Sequence, residues 1–228
     1  MNKHIAIDGP ASSGKSTIAK IVAKRRGLIY VDTGAMYRAM AIHFLRLGLS
    51  ADDQEGIEKA AQTADVTIDY IDGQQQVILN GENVTPYLRE EATGNMASAS
   101  SVYAAVRSKM TALQQKLAAE KNVVMDGRDI GTVVLPDAFL KIFMTASADV
   151  RATRRYEELK AKGETPDYGT LKAEIIERDY RDSHREIAPL KQADDAFLLD
   201  TSDMSIDMVA GYVIGLYDER LRAAKGEA

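Results

Sequence analysis

The sequence has no cysteine, no excess of basic residues and no long apolar run, and each absence excludes a class of protein. Without cysteine there are no disulfides, no zinc sites with thiolate ligands and no cysteine nucleophile. The 29 basic and 34 acidic residues give a net charge of −5, which disfavours binding to the phosphates of a nucleic acid polymer. No apolar run approaches the ~18 residues of a membrane span, and residues 1–8 are too short of apolar side chains for a signal peptide. We therefore expect a cytoplasmic protein that binds neither membranes nor nucleic acid polymers.

The composition predicts one globular domain with a small additional piece. Hydrophobic residues make up 45% of the chain and charged residues 28%, close to the averages of soluble globular proteins. At about 150 residues per domain, this length corresponds to roughly one and a half domains. We expect a single domain over residues 1–228 that carries an insertion.

Short apolar segments alternate along the chain with segments of helical periodicity. Residues 5–7 precede a glycine-rich turn, and Ile18, Ile21 and Val22 then follow at helical spacing, with Gly27 expected to end the helix. Strands without polar interruption are typical of a parallel sheet that is buried on both faces. The alternation predicts an α/β fold with a doubly wound, five-stranded parallel sheet. The other expected strands are 28–31, 123–125, 140–143 and 197–199, and the other expected helices lie around 36–47, 102–120, 148–162, 171–186 and 206–222.

Residues 66–84 interrupt this alternation of strands and helices. Polar and apolar residues alternate there around Asp72-Gly73 and Asn80-Gly81, dipeptides that favour the positive φ angles of two-residue hairpin turns. The alternation is too polar for a strand inside the main sheet. We expect a small antiparallel β subdomain inserted between two parallel strands.

The strongest chemical motif lies at the first turn. Residues 9–16 match G-x-x-x-x-G-K-[ST] between an expected strand and an expected helix, a context that makes a chance glycine-rich turn a poor alternative. In such a P-loop, backbone N–H groups surround a polyphosphate at a helix N-terminus. Lys15 is expected to reach the β- and γ-phosphates and Ser16 to bind Mg²⁺. The expected nucleotide-binding residues are Gly9, Pro10, Ala11, Ser12, Ser13, Gly14, Lys15, Ser16 and Thr17.

The rest of the chain narrows the nucleotide and the metal site. No Asn-Lys-x-Asp motif of a guanine-specific GTPase follows the loop, so ATP is the expected nucleotide. Asp126 ends an apolar strand and resembles a Walker-B aspartate, which holds Mg²⁺ directly or through water, although a helix-capping role is the alternative. The three histidines lie far apart in sequence, and we expect structural or surface roles for them.

Arginine side chains point to transfer of a phosphoryl group to a second phosphate. Arg178, Asp182 and Arg185 fall at i, i+4 and i+7, which predicts one helix face. Arg128 and Asp129 follow Asp126 at the carboxyl edge of the sheet, where α/β proteins bind ligands. Guanidinium groups neutralise phosphate charge and bind its oxygens in bidentate geometry. Three more arginines, Arg151, Arg154 and Arg155, lie in the first turns of the expected helix 148–162.

The alternative interpretation of these arginines is a set of solvated helix faces. Arg154 would then pair with Glu158, and Arg178 with Asp182, in surface ion pairs that contribute little. Arginines in three separate elements of one P-loop protein make this alternative less favourable for the whole set.

Four segments together resemble the bacterial cytidylate kinases. Their order and spacing match across nearly the whole chain, and Ser13 stands where relatives often carry Gly or Ala. The segments are residues 9–17, Asp-Thr-Gly-Ala-Met-Tyr-Arg at 32–38, Asp-Gly-Arg-Asp-Ile-Gly-Thr at 126–132, and Glu-Arg-Asp at 177–179 running on to Arg185 and Ala-Pro-Leu at 188–190.

This resemblance implies transfer of the γ-phosphoryl group of ATP to CMP or dCMP, with Mg²⁺. It also implies a nucleotide-binding insert at 62–100, a lid at 151–169 and a monomer with small-molecule partners only. Catalytic roles would belong to Lys15, Arg128, Arg151 and Arg154, with Arg154 also at ATP. The implied acceptor site comprises Thr33, Arg38, Ser98, Arg107, Arg128, Asp129, Arg178, Asp182 and Arg185.

The chemistry of cytosine agrees with this assignment. A carboxylate such as Asp129 accepts a hydrogen bond from the N4 amino group, and Arg107 donates to the ring, whereas uracil presents O4 as an acceptor. A buried mismatch of this kind costs roughly 1–3 kcal/mol, so UMP should be the poorer substrate. Two alternatives stay open: a P-loop kinase for another nucleotide or a metabolite such as shikimate, and a nucleotide-sensing module without transfer activity.

Overall fold

The computed structural model describes residues 3–226. Met1, Asn2, Glu227 and Ala228 lie outside the described residues. The segment 1–8, in which no signal peptide is expected, therefore lies partly outside them. Eight strands and eight helices are defined in this part of the chain, together with a short 3₁₀ turn at Thr85–Tyr87 and a π-helical turn at Ile130–Val134. Their order is β1 (Ile5–Asp8), α1 (Lys15–Arg26), β2 (Ile29–Asp32), α2 (Thr33–Arg46), α3 (Gln54–Thr63), β3 (Val66–Ile71), β4 (Gln74–Leu79), β5 (Glu82–Asn83), α4 (Glu91–Ser100), α5 (Ala104–Glu120), β6 (Val123–Gly127), β7 (Leu140–Thr145), α6 (Ala148–Ala161), α7 (Tyr168–His184), β8 (Phe197–Asp200) and α8 (Ile206–Lys225).

The chain divides into two compact units. Met1–Tyr30 and Lys121–Ala228 form the first unit, and Val31–Glu120 forms the second. The division falls within β2. No helix among residues 3–226 combines the length and the apolar character needed to cross a membrane.

The main sheet has five strands in the order β2-β6-β1-β7-β8. β1 is central and pairs in parallel with β6 and β7, in the register Ile7↔Asp126 and Ile7↔Ile142. The side chains of Ile5, Ile7 and Ala6 have no exposed surface, which places both faces of β1 in the interior. The predicted five-stranded parallel sheet is confirmed.

Helices α1 and α8 pack on one face of this sheet. Ile18 and Val22 of α1 and Val213 of α8 share a core cluster with Ile5 and Ile142. Gly27 ends α1 with φ 64°, a left-handed conformation that glycine adopts without steric cost, as its position in the sequence predicts. The core therefore holds in place β1 and α1, the two elements that the P-loop motif connects.

Two features of the main sheet and its helices differ from the sequence-based expectations. β2 and β8 are the two edge strands. Only Val31 of β2 is buried, and Phe197 and Leu198 of β8 are 37% and 59% exposed, so the expectation of strands buried on both faces is wrong at both edges. An apolar run does not reveal whether its strand has a neighbour on each side. Helix α7 ends at His184, two residues before the expected end, which leaves Arg185 outside the helix.

The second unit contains the predicted antiparallel sheet, in the order β3-β4-β5. Asp72 and Gly73 have φ angles of 51° and 72°, and Asn80 and Gly81 have 50° and 85°, as type I′ hairpin turns require. This sheet is separate from the main one, as its polar alternation predicts. The helical character of α3 and α4, on either side of the sheet, was not part of the sequence-based prediction.

Candidate active site

The P-loop connects β1 to α1, and three of its residues have positive φ angles. Ser12 and Gly14 have positive φ angles of 59° and 89°, and Gly9 has φ 149°. A Cβ atom on Gly9 would lie 1.9 Å from the backbone oxygen of Met144, so only glycine fits there. Strained backbone of this kind is concentrated at ligand sites.

Lys15 is the first residue of α1, and its side chain is buried beside the loop. Its Nζ donates hydrogen bonds to the carbonyl oxygen of Pro10 at 2.6 Å and to Ser13 Oγ at 3.3 Å. Burial lowers the pKa of Lys15 to about 7, and the positive charge of Arg128 adds to this effect against the opposing charges of Asp126 and Asp8. A phosphate placed next to this amine would favour its charged form.

Ser16 and Asp126 meet at the carboxyl edge of the sheet. Ser16 Oγ donates to Asp126 Oδ2 at 2.7 Å, and the Tyr30 hydroxyl donates to the other carboxylate oxygen at 2.9 Å. Both Asp126 oxygens thus have side-chain partners. Asp126 lies within β6, and the N-cap of the turn that follows is Asp129, so the alternative role of Asp126 as a helix cap is wrong. No cluster of three or more His, Asp or Glu side chains that could hold a metal occurs among residues 3–226.

Two arginines of helix α6 donate hydrogen bonds to carbonyl oxygens of the P-loop. Arg154 Nη1 donates to the Ser13 carbonyl at 3.4 Å, and its Nη2 donates to the Thr201 carbonyl at 2.6 Å. Glu158, the alternative partner of Arg154, instead pairs with Arg155 and Lys162. Arg154 therefore joins the loop to the end of β8.

Arg151 is buried and bonds to three different segments of the protein. Its guanidinium donates to the carbonyl oxygens of Ala146 and Ala11 at 2.9 and 3.2 Å and to Asp179 Oδ2 at 2.5 Å. This one side chain connects α6, the P-loop and α7. The contacts describe a residue that holds the loop and both helices in place.

A cavity of about 400 Å³ lies beside the P-loop in the first unit. Its apolar wall comes from α1, β7 and the segment from 204 to 209, and its polar wall includes Ser12, Thr17 and Arg154. The volume and the mixed lining are typical of a small-molecule site. None of the apolar members was predicted as a site residue, because an apolar side chain in sequence gives no sign of lining a cavity. They are Ile18, Met144, Met204, Ile206 and Val209.

The loop after β6 carries Arg128, which binds Asp182 of α7. Arg128 Nε donates to Asp182 Oδ2 at 2.7 Å. Burial alone would lower the pKa of Arg128, but the charge of Asp182 and the hydrogen bond to it raise the pKa overall. Burial likewise would raise the pKa of Asp182, and the positive charges of Arg128, Arg178 and Arg185 hold it below its usual value. The residues expected to cluster therefore lie together, with the Asp182 carboxylate close to three guanidinium groups.

Arg185 belongs to this cluster, but it does not share a helix face with Arg178 and Asp182. It follows the last residue of α7 with extended backbone angles, φ −65° and ψ 143°. Its Nε donates to the carbonyl oxygen of Ala188 at 2.7 Å, and its Nη2 lies 3.7 Å from Asp129 Oδ1. The prediction that Arg185 lies near Asp182 is therefore correct, but the prediction that it lies on the same helix face is wrong. The turn at 186–190, with Ala188 at φ 50°, returns the side chain to the site.

Asp8 was not singled out in the sequence, although it is a buried acid at the end of β1. Its two carboxylate oxygens accept from the backbone N–H groups of Ile130 and Gly131 at 2.8 and 2.7 Å. Burial raises the pKa of Asp8 to about 6, against the lowering effect of these hydrogen bonds. Asp8 thereby fixes the backbone directly after Asp129. In the sequence, the one indication of a role for Asp8 is its position between an apolar strand and the P-loop.

Four of the predicted acceptor residues lie in the second unit. Thr33 is the buried first residue of α2, and Arg38 follows one and a half turns later. Arg107 of α5 is buried; its Nη1 donates to the carbonyl oxygen of Ser101 at 3.0 Å, and its guanidinium carbon lies 5.8 Å from the Tyr37 ring centre. Ser101 Oγ in turn donates to the carbonyl oxygen of Ser98 at 2.8 Å.

Proteins of known sequence give the chain its family. The family model described as cytidylate kinase matches residues 5–219. A cytidylate kinase of Caldicellulosiruptor saccharolyticus is 47% identical over 214 residues, which cover 94% of this chain and 95% of that protein. A cytidylate kinase of Ligilactobacillus salivarius is 48% identical over 216 residues, covering 95% and 96%.

Solved structures give the fold alone. An uncharacterized protein of Eubacterium ventriosum aligns with a TM-score of 0.52 and 14% identity over 95% of this chain and 98% of its own. A gluconokinase of Sinorhizobium meliloti aligns with a TM-score of 0.50 and 13% identity over 100% and 98%. With a family match over nearly its whole length and relatives at almost half identity, the chain belongs to the cytidylate kinase family.

Proposed function

We propose that the protein transfers the γ-phosphoryl group of ATP to CMP and dCMP, giving ADP and CDP or dCDP. The observation that carries this proposal is the cluster of Arg128, Asp182, Asp129 and Arg185 in the same compact unit as the P-loop, in a chain of this family. Such a cluster supplies fixed positive charge where a second phosphate needs it.

The donor nucleotide would occupy the P-loop and the cavity beside it. Backbone N–H groups of residues 9–17 would bind the phosphates, and Lys15 would neutralise charge on the transferred group. The cavity's apolar wall suits a base, with Arg154 at its polar side. Arg151, with three protein partners, would act on the reaction by holding the loop and α7 in position.

Mg²⁺ bound with ATP would have Ser16 and Asp126 as its protein partners, directly or through water. Their oxygens lie 2.7 Å apart and are the hard donors that Mg²⁺ prefers, and phosphate oxygens and water fill its remaining positions in such sites. The bound ion would neutralise charge on the β- and γ-phosphates.

The acceptor would be recognised by charge and by the hydrogen-bonding pattern of its base. Arg128, Arg178 and Arg185 would bind the acceptor phosphate, and Asp182 would accept from ribose hydroxyls. No general base is needed, because a phosphate monoester with a second pKa of about 6 is largely ionised at neutral pH. The base pattern described for cytosine assigns its recognition to Asp129 and Arg107, with Thr33, Arg38 and Ser98 completing the acceptor residues.

The proposal assigns separate roles to two segments of the chain. Residues 62–100, which contain the separate three-stranded sheet, would form the nucleotide-binding insert, and residues 151–169, which contain most of α6 and the turn into α7, would form the lid. We further propose a cytoplasmic monomer. Light scattering coupled to size exclusion measures the oligomeric state directly.

One assay tests the activity. ADP production is measured with ATP as donor and CMP, dCMP, UMP, AMP or shikimate as acceptor, for the wild type and for Lys15→Met. We expect turnover that depends on added CMP or dCMP, and a kcat lowered by about 100-fold or more in folded Lys15→Met. Binding of CMP without ADP production would identify a sensing module, and a preference for shikimate or AMP would identify another kinase.

A further inference from the structure

The side chain of Gln75 in β4 bonds the inserted sheet to the start of α2. Its Oε1 accepts from the backbone N–H of Asp32 at 2.8 Å, and its Nε2 donates to the carbonyl oxygen of the same residue at 3.2 Å. The amide therefore pairs with both backbone groups of Asp32, as a neighbouring strand would. All of these atoms belong to the second unit.

Asp32 is the residue that orients the first turn of α2. Its Oδ1 accepts from the backbone N–H of Ala35 at 2.9 Å, the hydrogen bond of an N-cap. A Cβ atom on Gly34 would lie 3.2 Å from both Asp32 Oδ1 and Arg38 Nη1, so the absence of a side chain at this position lets the guanidinium come close to the cap. Asp32 thus caps the helix turn that carries Thr33 and leads to Arg38.

We propose that Gln75 is a positioning residue for the acceptor site, a proposal that rests on the proposed function. By fixing the backbone of Asp32, Gln75 holds the first turn of α2 in the form that presents Thr33 and Arg38 to the nucleoside monophosphate. Ordering this turn before binding removes an entropic cost from binding of the acceptor. In this role, Gln75 acts on the substrate only through Asp32 and α2.

Gln75→Met tests this role, because methionine matches the length of glutamine but makes neither hydrogen bond. Gln76→Met is the matched control: Gln76 Oε1 accepts from Asn83 Nδ2 at 3.1 Å within the sheet and has no bond to Asp32. For Gln75→Met we expect the KM for CMP to rise roughly tenfold, with the KM for ATP and kcat within about twofold of the wild type. Gln76→Met should keep the KM for CMP of the wild type.

Hydrogen exchange of the peptide that covers residues 33–40, without nucleotide, gives a readout independent of activity. Exchange should be faster in Gln75→Met than in the wild type and unchanged in Gln76→Met. If Gln75→Met does not fold, Gln75→Glu takes its place, since it keeps an acceptor for the Asp32 N–H but loses the donor to its carbonyl oxygen.

Two results would overturn the proposal. One is an unchanged KM for CMP and unchanged exchange in the folded Gln75 variant; the other is an equal rise in both KM values, as general destabilisation would cause. A wild type that does not phosphorylate CMP would refute the proposed function instead. The exchange rates would then still decide whether Gln75 holds the first turn of α2.

Discussion

Arg128 Nε and Asp182 Oδ2 lie 2.7 Å apart and join the loop after β6 to helix α7, across 54 residues of sequence. The pair is mostly buried, with side chains 19% and 9% exposed. Arg178 and Arg185 are near enough to lower the pKa of the same carboxyl group. Asp182 is therefore a carboxylate that all three guanidinium groups share.

Asp182→Asn should destabilise the protein. Loss of the charge leaves the guanidinium groups of Arg128, Arg178 and Arg185 without their shared carboxylate, and we expect the free energy of unfolding to fall by about 2 kcal/mol at pH 7. The folded-state pKa of Asp182 is lowered, so this contribution is present above pH ~4 and is lost as the pH falls through the folded-state pKa. Urea unfolding of wild type and variant at pH 7 measures the difference; equal stabilities would contradict the structural role.

Arg185→Gln should weaken the acceptor site selectively. Arg185 is buried beside Asp129. If it binds the acceptor phosphate as proposed, its loss removes charge from that site, so the KM for CMP should rise about tenfold and kcat should fall. Arg181→Gln is the control, because Arg181 is a half-exposed residue of α7 paired with Glu177. The stabilisation by CMP in thermal melting should shrink only for Arg185→Gln. A wild-type melting shift and KM in that variant would remove Arg185 from the acceptor site.

Asp129→Asn should relax the choice of base. The carboxylate only accepts hydrogen bonds, whereas an amide can present its NH₂ group to O4 of uracil. The ratio of kcat/KM for CMP over UMP should narrow by roughly tenfold, equivalent to about 1.4 kcal/mol. Steady-state kinetics with both acceptors measure it. An unchanged ratio in an active variant would place base recognition elsewhere.

Asp8 should give the protein a pH-dependent stability. Its folded-state pKa of about 6 is above the value of 3.8 for a free carboxyl, so the folded state takes up the proton first. Its contribution to the free energy of unfolding should therefore increase as the pH falls from about 7 to about 4, by as much as about 3 kcal/mol. Asp8→Asn cannot titrate, and the stability difference between the two proteins at pH 7.5 and pH 5 isolates the effect. A difference that does not change with pH would mean that Asp8 titrates normally.

Gly9→Ala should disrupt the P-loop and the adjoining sheet. The added Cβ would meet the backbone oxygen of Met144, which cannot move without shifting β7, so we expect a loss of about 3 kcal/mol or more. Gly163→Ala is the control: its φ of 84° is also positive, but nothing lies within 4 Å of the new atom, and the cost should stay at about 1–2 kcal/mol. Thermal or urea unfolding compares them, and equal losses would show that φ alone, without the clash, sets the cost.

Elements that depend on local interactions could be predicted from the amino-acid sequence. The P-loop motif, the strand periodicity and the two Asx-Gly turns of residues 72–73 and 80–81 depend on neighbouring residues, and each is found where the sequence places it. Burial of the central strands also followed from their unbroken apolar runs. For the same reason the sequence could not reveal that β8 is an edge strand, since an edge is defined by a missing neighbour.

Which polar groups come into contact depends on the tertiary structure. Arg185 reaches Asp129 through a turn beyond α7, not along a helix face, and Asp8 finds its partners 122 and 123 residues away. Gln75 bonds to Asp32. Its neighbours Gln74 and Gln76 are also glutamines, so the sequence does not indicate which of the three makes this contact. Hydrogen bonds need distances near 3 Å, and such distances between residues far apart in sequence are set by the packing of the elements that carry them.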